Sequence, residues 1–72
     1  MTLVQAQEGK EYVIDQVRTD DKELDAFLFS LGCYSGEQIT VVSRRRSNLT
    51  ISIKDGRYCI DARLADTIRL AQ

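Results

Sequence analysis

A mainly β fold is what this sequence predicts: about five short strands curled into a small barrel, with one α-helix inserted between the first two. Three observations predict it. Leu49, Ile51 and Ile53 alternate with Thr50, Ser52 and Lys54, the pattern of a strand with one dry and one wet face. Residues 27–37, FLFSLGCYSGE, end an amphipathic helix, make two glycine turns and launch a β-branched strand. The 72 residues contain no proline and no Gly/Ser-rich linker, so they read as one domain. A chain this small buries only about 60% of the surface it exposes when unfolded. Short strands with free edges invite intermolecular pairing, and curling into a barrel removes those edges.

The elements follow in order. Thr2 with Gln5 predicts a short helical turn near residues 2–6 that lays Leu3 and Val4 over one end of the core, and Gly9 then turns the chain into the first strand. In that strand, residues 11–18, Tyr12 and Ile14 alternate, but the next inward candidate is Val17, three positions on. The odd step predicts a bulge near Asp15 and Gln16. Asp20 and Glu23 have the D-x-x-E spacing of a capping box, which starts a helix over residues 21–31. Leu24, Phe27, Leu28 and Leu31 share one face of it and are expected to point at the core. Gly32 follows as a left-handed cap, and Gly36 suits the third position of a tight turn over residues 34–37.

Residues 38–43 form a strand with Ile39 and Val41 on one side, and residues 44–48 are expected to be a polar loop. After the strand around Ile51, Asp55-Gly56 is read as a two-residue hairpin, since both central positions of such a turn favour positive φ. The return strand carries Tyr58 and Ile60 on the face opposite Cys59. Asp61 then caps a helical turn over residues 62–66, before a last strand at residues 67–70.

Composition excludes several functions. Apolar residues at 43% and charged residues at 29% disfavour disorder, and no apolar run approaches the roughly 20 residues of a membrane-spanning helix. The polar start of the chain lacks the charge and hydropathy pattern of a secretion signal, so a cytoplasmic location is expected. Ten basic against eleven acidic side chains leave a net charge of −1 and no global attraction for nucleic acid or anionic lipid. There is no histidine and no G-x-x-x-x-G-K-[ST] loop, which removes the commonest general base and one nucleotide cradle. No catalytic, cofactor or metal residue is assigned, and no enzyme is expected. Cys33 and Cys59 are read as reduced, small buried hydrophobes. Asp15, Asp20, Asp21, Glu23 and Asp25 lack the spacing of a Ca²⁺ loop, and three of them are explained by helix capping and dipole complementation.

Two features carry candidate contacts. Arg44, Arg45 and Arg46 form a charge cluster that reads either as a solvated turn or as a contact for phosphate, an acidic surface or lipid headgroups. Phe29 falls about 100° or more from the Leu24–Leu31 stripe. It either packs under the N-terminal segment or joins Tyr34 in an exposed apolar patch. With no Trp and three scattered Tyr, a proline-peptide groove is disfavoured.

The chain resembles the ferrous iron transport protein A (FeoA) family over nearly its whole length. The resemblance rests on Gly9 before a strand with Tyr12, Ile14 and Val17, on Leu31-Gly32 and Ser35-Gly36, on Ile39 and Val41, and on Leu64, Ala65 and Ile68. Many members carry Pro where this chain has Ser35, which fits the same turn position. The resemblance implies an SH3-like barrel. It also implies a cytosolic accessory protein of bacterial ferrous iron uptake, acting on the cytoplasmic GTP-binding part of the membrane transporter FeoB. On that reading Phe29, Tyr34 and Arg44, Arg45 and Arg46 are the expected contact surface, with neither nucleic acid nor membrane insertion, and with weak self-association through Phe29. The alternatives are an SH3-like regulatory domain related to the C-terminal domain of metal-dependent repressors, and a nucleic-acid-binding barrel using the arginine loop.

Overall fold

The computed structural model describes residues 1–71. Five antiparallel strands form one sheet in the order β4-β3-β2-β1-β5: β1 (Glu11–Val17), β2 (Gln38–Arg45), β3 (Asn48–Ile53), β4 (Gly56–Asp61) and β5 (Ile68–Leu70). A 3-10 turn (Leu3–Gln5) precedes them, α1 (Lys22–Leu31) joins β1 to β2, and α2 (Ala62–Ala65) joins β4 to β5. Every strand sends buried side chains into a single cluster: Tyr12 and Ile14, Ile39 and Val41, Leu49, Ile51 and Ile53, Ile60, and Ile68 and Leu70. One sheet can bury one face against itself only by curling, so the expected small barrel is the observed one.

The curl is made at β1. Its first half pairs with β2 (Tyr12↔Ile39) and its second half with β5 (Val17↔Ile68), with the register shifting between Ile14 and Gln16. This is the bulge expected from the odd step to Val17, and it turns the strand from one neighbour to the other. β4 and β5 stand at opposite ends of the strand order, and no ladder joins them among the described residues. α2 packs against β3, β4 and the 3-10 turn instead, with the Asp61 carboxylate accepting from Leu64 N–H at 2.8 Å as expected of its cap.

Local physics displaces four expected features. The helix cap is Asp21, not Asp20: Thr19 Oγ1 accepts from the Asp21 N–H at 2.8 Å. The Asp21 carboxylate then accepts from Glu23 and Leu24 N–H at 2.9 and 3.3 Å, while Asp20 lies exposed outside the helix. Asp20 and Glu23 have the box spacing, but one well-placed acceptor serving two amides needs no reciprocal glutamate. The other end of α1 is as read. Gly32 sits at φ 105, its N–H bonds Phe29 O at 3.0 Å and Cys33 N–H bonds Leu28 O at 2.9 Å, a complete Schellman motif. Gly36, at φ 91, closes the turn in which Glu37 N–H bonds Tyr34 O at 3.1 Å.

The second displacement is the hairpin between β3 and β4. Ile53 pairs with Gly56, so the loop residues are Lys54 and Asp55, one place earlier than the expected Asp55-Gly56. Core burial of Ile53 and Ile60 sets the register, and Gly56 serves packing: a Cβ there would meet the Tyr58 ring well inside van der Waals contact. The third is the arginine segment. β2 extends to Arg45 and pairs with Asn48, so the polar loop shrinks to Arg46 and Ser47. The fourth is Cys59, which is exposed; only Cys33 is buried, and both thiols are free.

Both hairpins hold a non-glycine residue at positive φ in their first loop position, Arg46 and Lys54, each at φ 52. That conformation costs an L-residue about 1–2 kcal/mol, whereas glycine adopts it freely and loses roughly 0.5–1 kcal/mol more chain entropy on folding. Arg46→Gly is therefore expected to raise stability by about 0.5–1 kcal/mol, seen as an increase of several degrees in Tm. An unchanged or lowered Tm would show that the arginine carries compensating contacts.

Candidate functional site

α1 meets the barrel through a narrow line. Of the stripe expected to face the core, only Leu28 is fully buried, at 0% exposure; Leu31 is half-buried, while Leu24 and Phe27 keep 39% and 48% of their surfaces. The expectation that all four point inward is thus corrected. Residues at i, i+3, i+4 and i+7 span a broad arc, and the barrel takes only the part centred on Leu28. Gly32 and Cys33 follow it inward. Burial pushes the Cys33 thiol up to about 11, so it stays protonated and behaves as a small hydrophobe.

Phe29 resolves in favour of the surface. It is 64% exposed, and its ring packs against Tyr34 with centroids 5.0 Å apart and planes tilted by 41°. The Schellman reversal at Gly32 brings Tyr34 back beside the last helical turn, which is why residues five apart in sequence touch. Lys54 completes the corner. Its Nζ lies 5.0 Å from the Tyr34 ring centroid and 3.4 Å from Glu37 Oε2, and Tyr34 first, then Glu37, raise its pKa above the ordinary lysine range. The lysine stem runs past Gly32, where a Cβ would approach Lys54 Cε to 3.2 Å. A groove of 630 Å³ opens here between the end of α1 and the β3–β4 hairpin, with Phe29, Tyr34, Lys54 and Tyr58 on its walls. A smaller one of 260 Å³ lies on the other side of Phe29, toward Val17 and Cys33.

The arginines separate. Arg44 turns inward along the barrel: its guanidinium donates to Val4 O at 2.9 Å and Ala6 O at 2.8 Å, and its backbone N–H donates to Glu8 Oε2 at 2.7 Å. It holds the 3-10 turn to β2. Arg45 and Arg46 stand exposed at the hairpin tip. Phe29 and Tyr34 therefore form one surface, Arg45 and Arg46 another, and Arg44 joins neither. Among the described residues no three Cys, Asp or Glu side chains come together as a metal-holding group, and no helix is long and apolar enough to cross a membrane.

A sequence model of the FeoA domain matches residues 1–72. The chain belongs to the FeoA domain family. Solved structures agree on the fold of this FeoA domain. Stenotrophomonas maltophilia FeoA complexed with zinc, described as a procaryotic SH3 domain protein, superposes with a TM-score of 0.88 at 18% identity, over 99% of this chain and 89% of that one. Iron(II) transport protein A from Clostridium thermocellum gives 0.86 at 23% identity, over 97% of this chain and 44% of that one. A manganese-dependent transcriptional repressor gives 0.85 at 16% identity, over 94% of this chain and 39% of that one. The FeoA domain thus spans about two fifths of the repressor's length, and the likeness to it is one of fold. No curated protein sequence matches the chain.

Two features of this FeoA domain escape a reading of its sequence. Lys54 was visible only as the outward residue of a strand end, and Glu37 only as the end of a turn. Their pairing depends on the turn over residues 34–37 meeting the β3–β4 hairpin. The Arg44 latch spans 38 to 40 residues and has no local signature.

Proposed function

We propose that this chain is an accessory factor of ferrous iron uptake that acts by protein–protein contact in the cytoplasm, on the GTP-binding part of the membrane transporter FeoB. Membership in the FeoA family supports the role in ferrous iron transport. The observation that carries the contact is the helix edge: Phe29 at 64% exposure stacked on Tyr34, with Leu24 and Phe27 also exposed on α1. Phe29 with Tyr34 is the kind of apolar anchor that docks a partner, while Leu24 and Phe27 lie exposed on the other flank of the ten-residue helix. The chain supplies touch and no reactive group, so it is read as a non-enzyme.

The test is Phe29→Ser. Because the ring is mostly in water, stability is expected to fall by no more than about 1 kcal/mol, the scale of one aromatic pair. Affinity for the purified GTP-binding part of the transporter is expected to fall by about tenfold or more, measured by titration calorimetry. A variant that binds as the parent does would remove Phe29 from the contact, and one that unfolds would return it to the core.

The likeness to a manganese-dependent repressor favours a second reading, a regulatory module of transcription control. Recovery of the tagged chain with a DNA-binding protein, and not with a membrane GTPase, would select it.

A further inference from the structure

The tip of the β2–β3 hairpin points to a function separate from the helix edge. Arg45, Arg46, Ser47 and Asn48 line a cavity of 470 Å³, and no acidic side chain lines it. Neither guanidinium has a hydrogen bond or ion pair among the described residues, nor do the Ser47 hydroxyl and the Asn48 side-chain amide. Asp61, opposite Asn48, accepts from Leu64 N–H, Glu8 accepts from the Arg44 N–H, and neither carboxylate lines the cavity. Two unpaired guanidinium groups, a hydroxyl and an amide thus border one cavity, in a chain whose net charge is −1.

Backbone strain singles out the same place. Arg46 and Lys54 both occupy a loop position that glycine would fill with less strain. The Lys54 side chain is used within the fold, by Glu37 and Tyr34, and that of Arg46 is not. Arg46 therefore keeps its strained position with no contact inside the molecule to offset it, as residues at ligand sites do.

We propose that this tip is an oxyanion site that takes a phosphate group. Planar guanidinium forks match phosphate oxygens with paired, charge-assisted hydrogen bonds. The hydroxyl and amide donors on the same cavity can serve the remaining oxygens. A carboxylate offers fewer oxygens to four such groups, and chloride offers no directional acceptors. Arg44 takes no part, because it does not line the cavity and its Nη2 is turned toward the Val4 and Ala6 carbonyls.

The experiment is an amide chemical-shift titration of the full chain with inorganic phosphate, with sodium chloride adjusted to hold ionic strength constant. Saturable shifts are expected at Arg45, Arg46, Ser47 and Asn48. Arg46→Gly and Arg45→Gln are each expected to weaken binding by about tenfold, the loss of one charge-assisted pair. Arg46→Gly is expected to fold at least as well as the parent, so its loss of binding cannot be a loss of structure. A second arm distinguishes the source of the phosphate. Co-sedimentation with phosphatidylglycerol vesicles but not phosphatidylcholine vesicles, abolished in Arg46→Gly, assigns a lipid headgroup. Binding of inorganic phosphate without vesicle binding assigns a free phosphate or phosphomonoester. The proposal is overturned if neither probe produces a saturable response at the tip, if sodium chloride alone reproduces it, or if both variants bind as the parent does.

Discussion

Leu28→Ala is expected to lower the unfolding free energy by about 2–5 kcal/mol, the range for emptying a fully buried leucine site. It is the one residue of α1 with no exposed surface, and it enters a core shared by all five strands. A chain of this size has roughly 4–11 kcal/mol in total, so the loss is a large fraction of what holds it together. Phe27→Ala removes a bigger side chain one residue away. Its ring is 48% exposed, however, so the expected loss is under about half as large. Urea unfolding followed by circular dichroism gives both values. Amide hydrogen exchange adds a second reading, since with Leu28 gone α1 is expected to exchange ahead of β2 and β3. Equal losses at the two positions would mean that the helix packs by its whole apolar stripe, contrary to the structure.

The contrast between Leu28 and Phe27 also shows where sequence reasoning reaches its limit. The alternation through Ile51 marks a strand and its buried face together, because a period of two leaves only two faces to choose from. The bulge in β1 was legible for the same reason, as a three-residue step that the period forbids. A helical stripe is less informative. Its spacing tells which residues share an arc, but the width of arc that becomes buried is set by the neighbour, and here the barrel accepts only the line through Leu28 and Leu31 toward Cys33. Turns behave similarly. Asp55-Gly56 has the stronger local preference, yet the core positions of Ile53 and Ile60 fix the register and move the loop to Lys54 and Asp55. The same limit applies to the candidate surfaces. Phe29 could be flagged from its angle on the helix, while its stacking on Tyr34 needed the reversal at Gly32. Three consecutive arginines look alike in a sequence, and they part company because β2 runs on to Arg45 and points alternate residues to different sides.

Arg44→Met is expected to cost about 2–3 kcal/mol, the scale of hydrogen bonds from a charged donor to acceptors that lose their partner. The guanidinium bridges the carbonyls of Val4 and Ala6, on either side of the last residue of the 3-10 turn, at 2.9 and 2.8 Å. That turn carries Leu3 and Ala6 into the core, and they are 0% and 2% exposed. Methionine keeps most of the apolar stem, so the measured loss reports the bonds and not the packing. In a domain of this length the cost corresponds to a fall in Tm of roughly 10–20 °C. Arg44→Lys is expected to recover only part of it, because both bonds come from Nη2 at the far end of the guanidinium and the lysine ammonium sits one atom shorter on its stem. The Glu8 carboxylate bonds the backbone N–H of residue 44 and survives both changes, as does the Gly9 N–H bond to Val41 O, so Glu8→Ala measures the side-chain link between this segment and β2 independently. The N-terminal segment is where the loss must appear: with Arg44 gone, the Gln5 and Ala6 amides, bonded to Thr2 O and Leu3 O, are expected to exchange before any strand amide does. If Arg44→Met leaves both Tm and that exchange unchanged, the burial of Leu3 and Ala6 and the bonds of Thr2 and Gln7 to Asp66 and Tyr12 suffice to hold the turn in place. Arg44 would then be as free for an outside partner as Arg45 and Arg46.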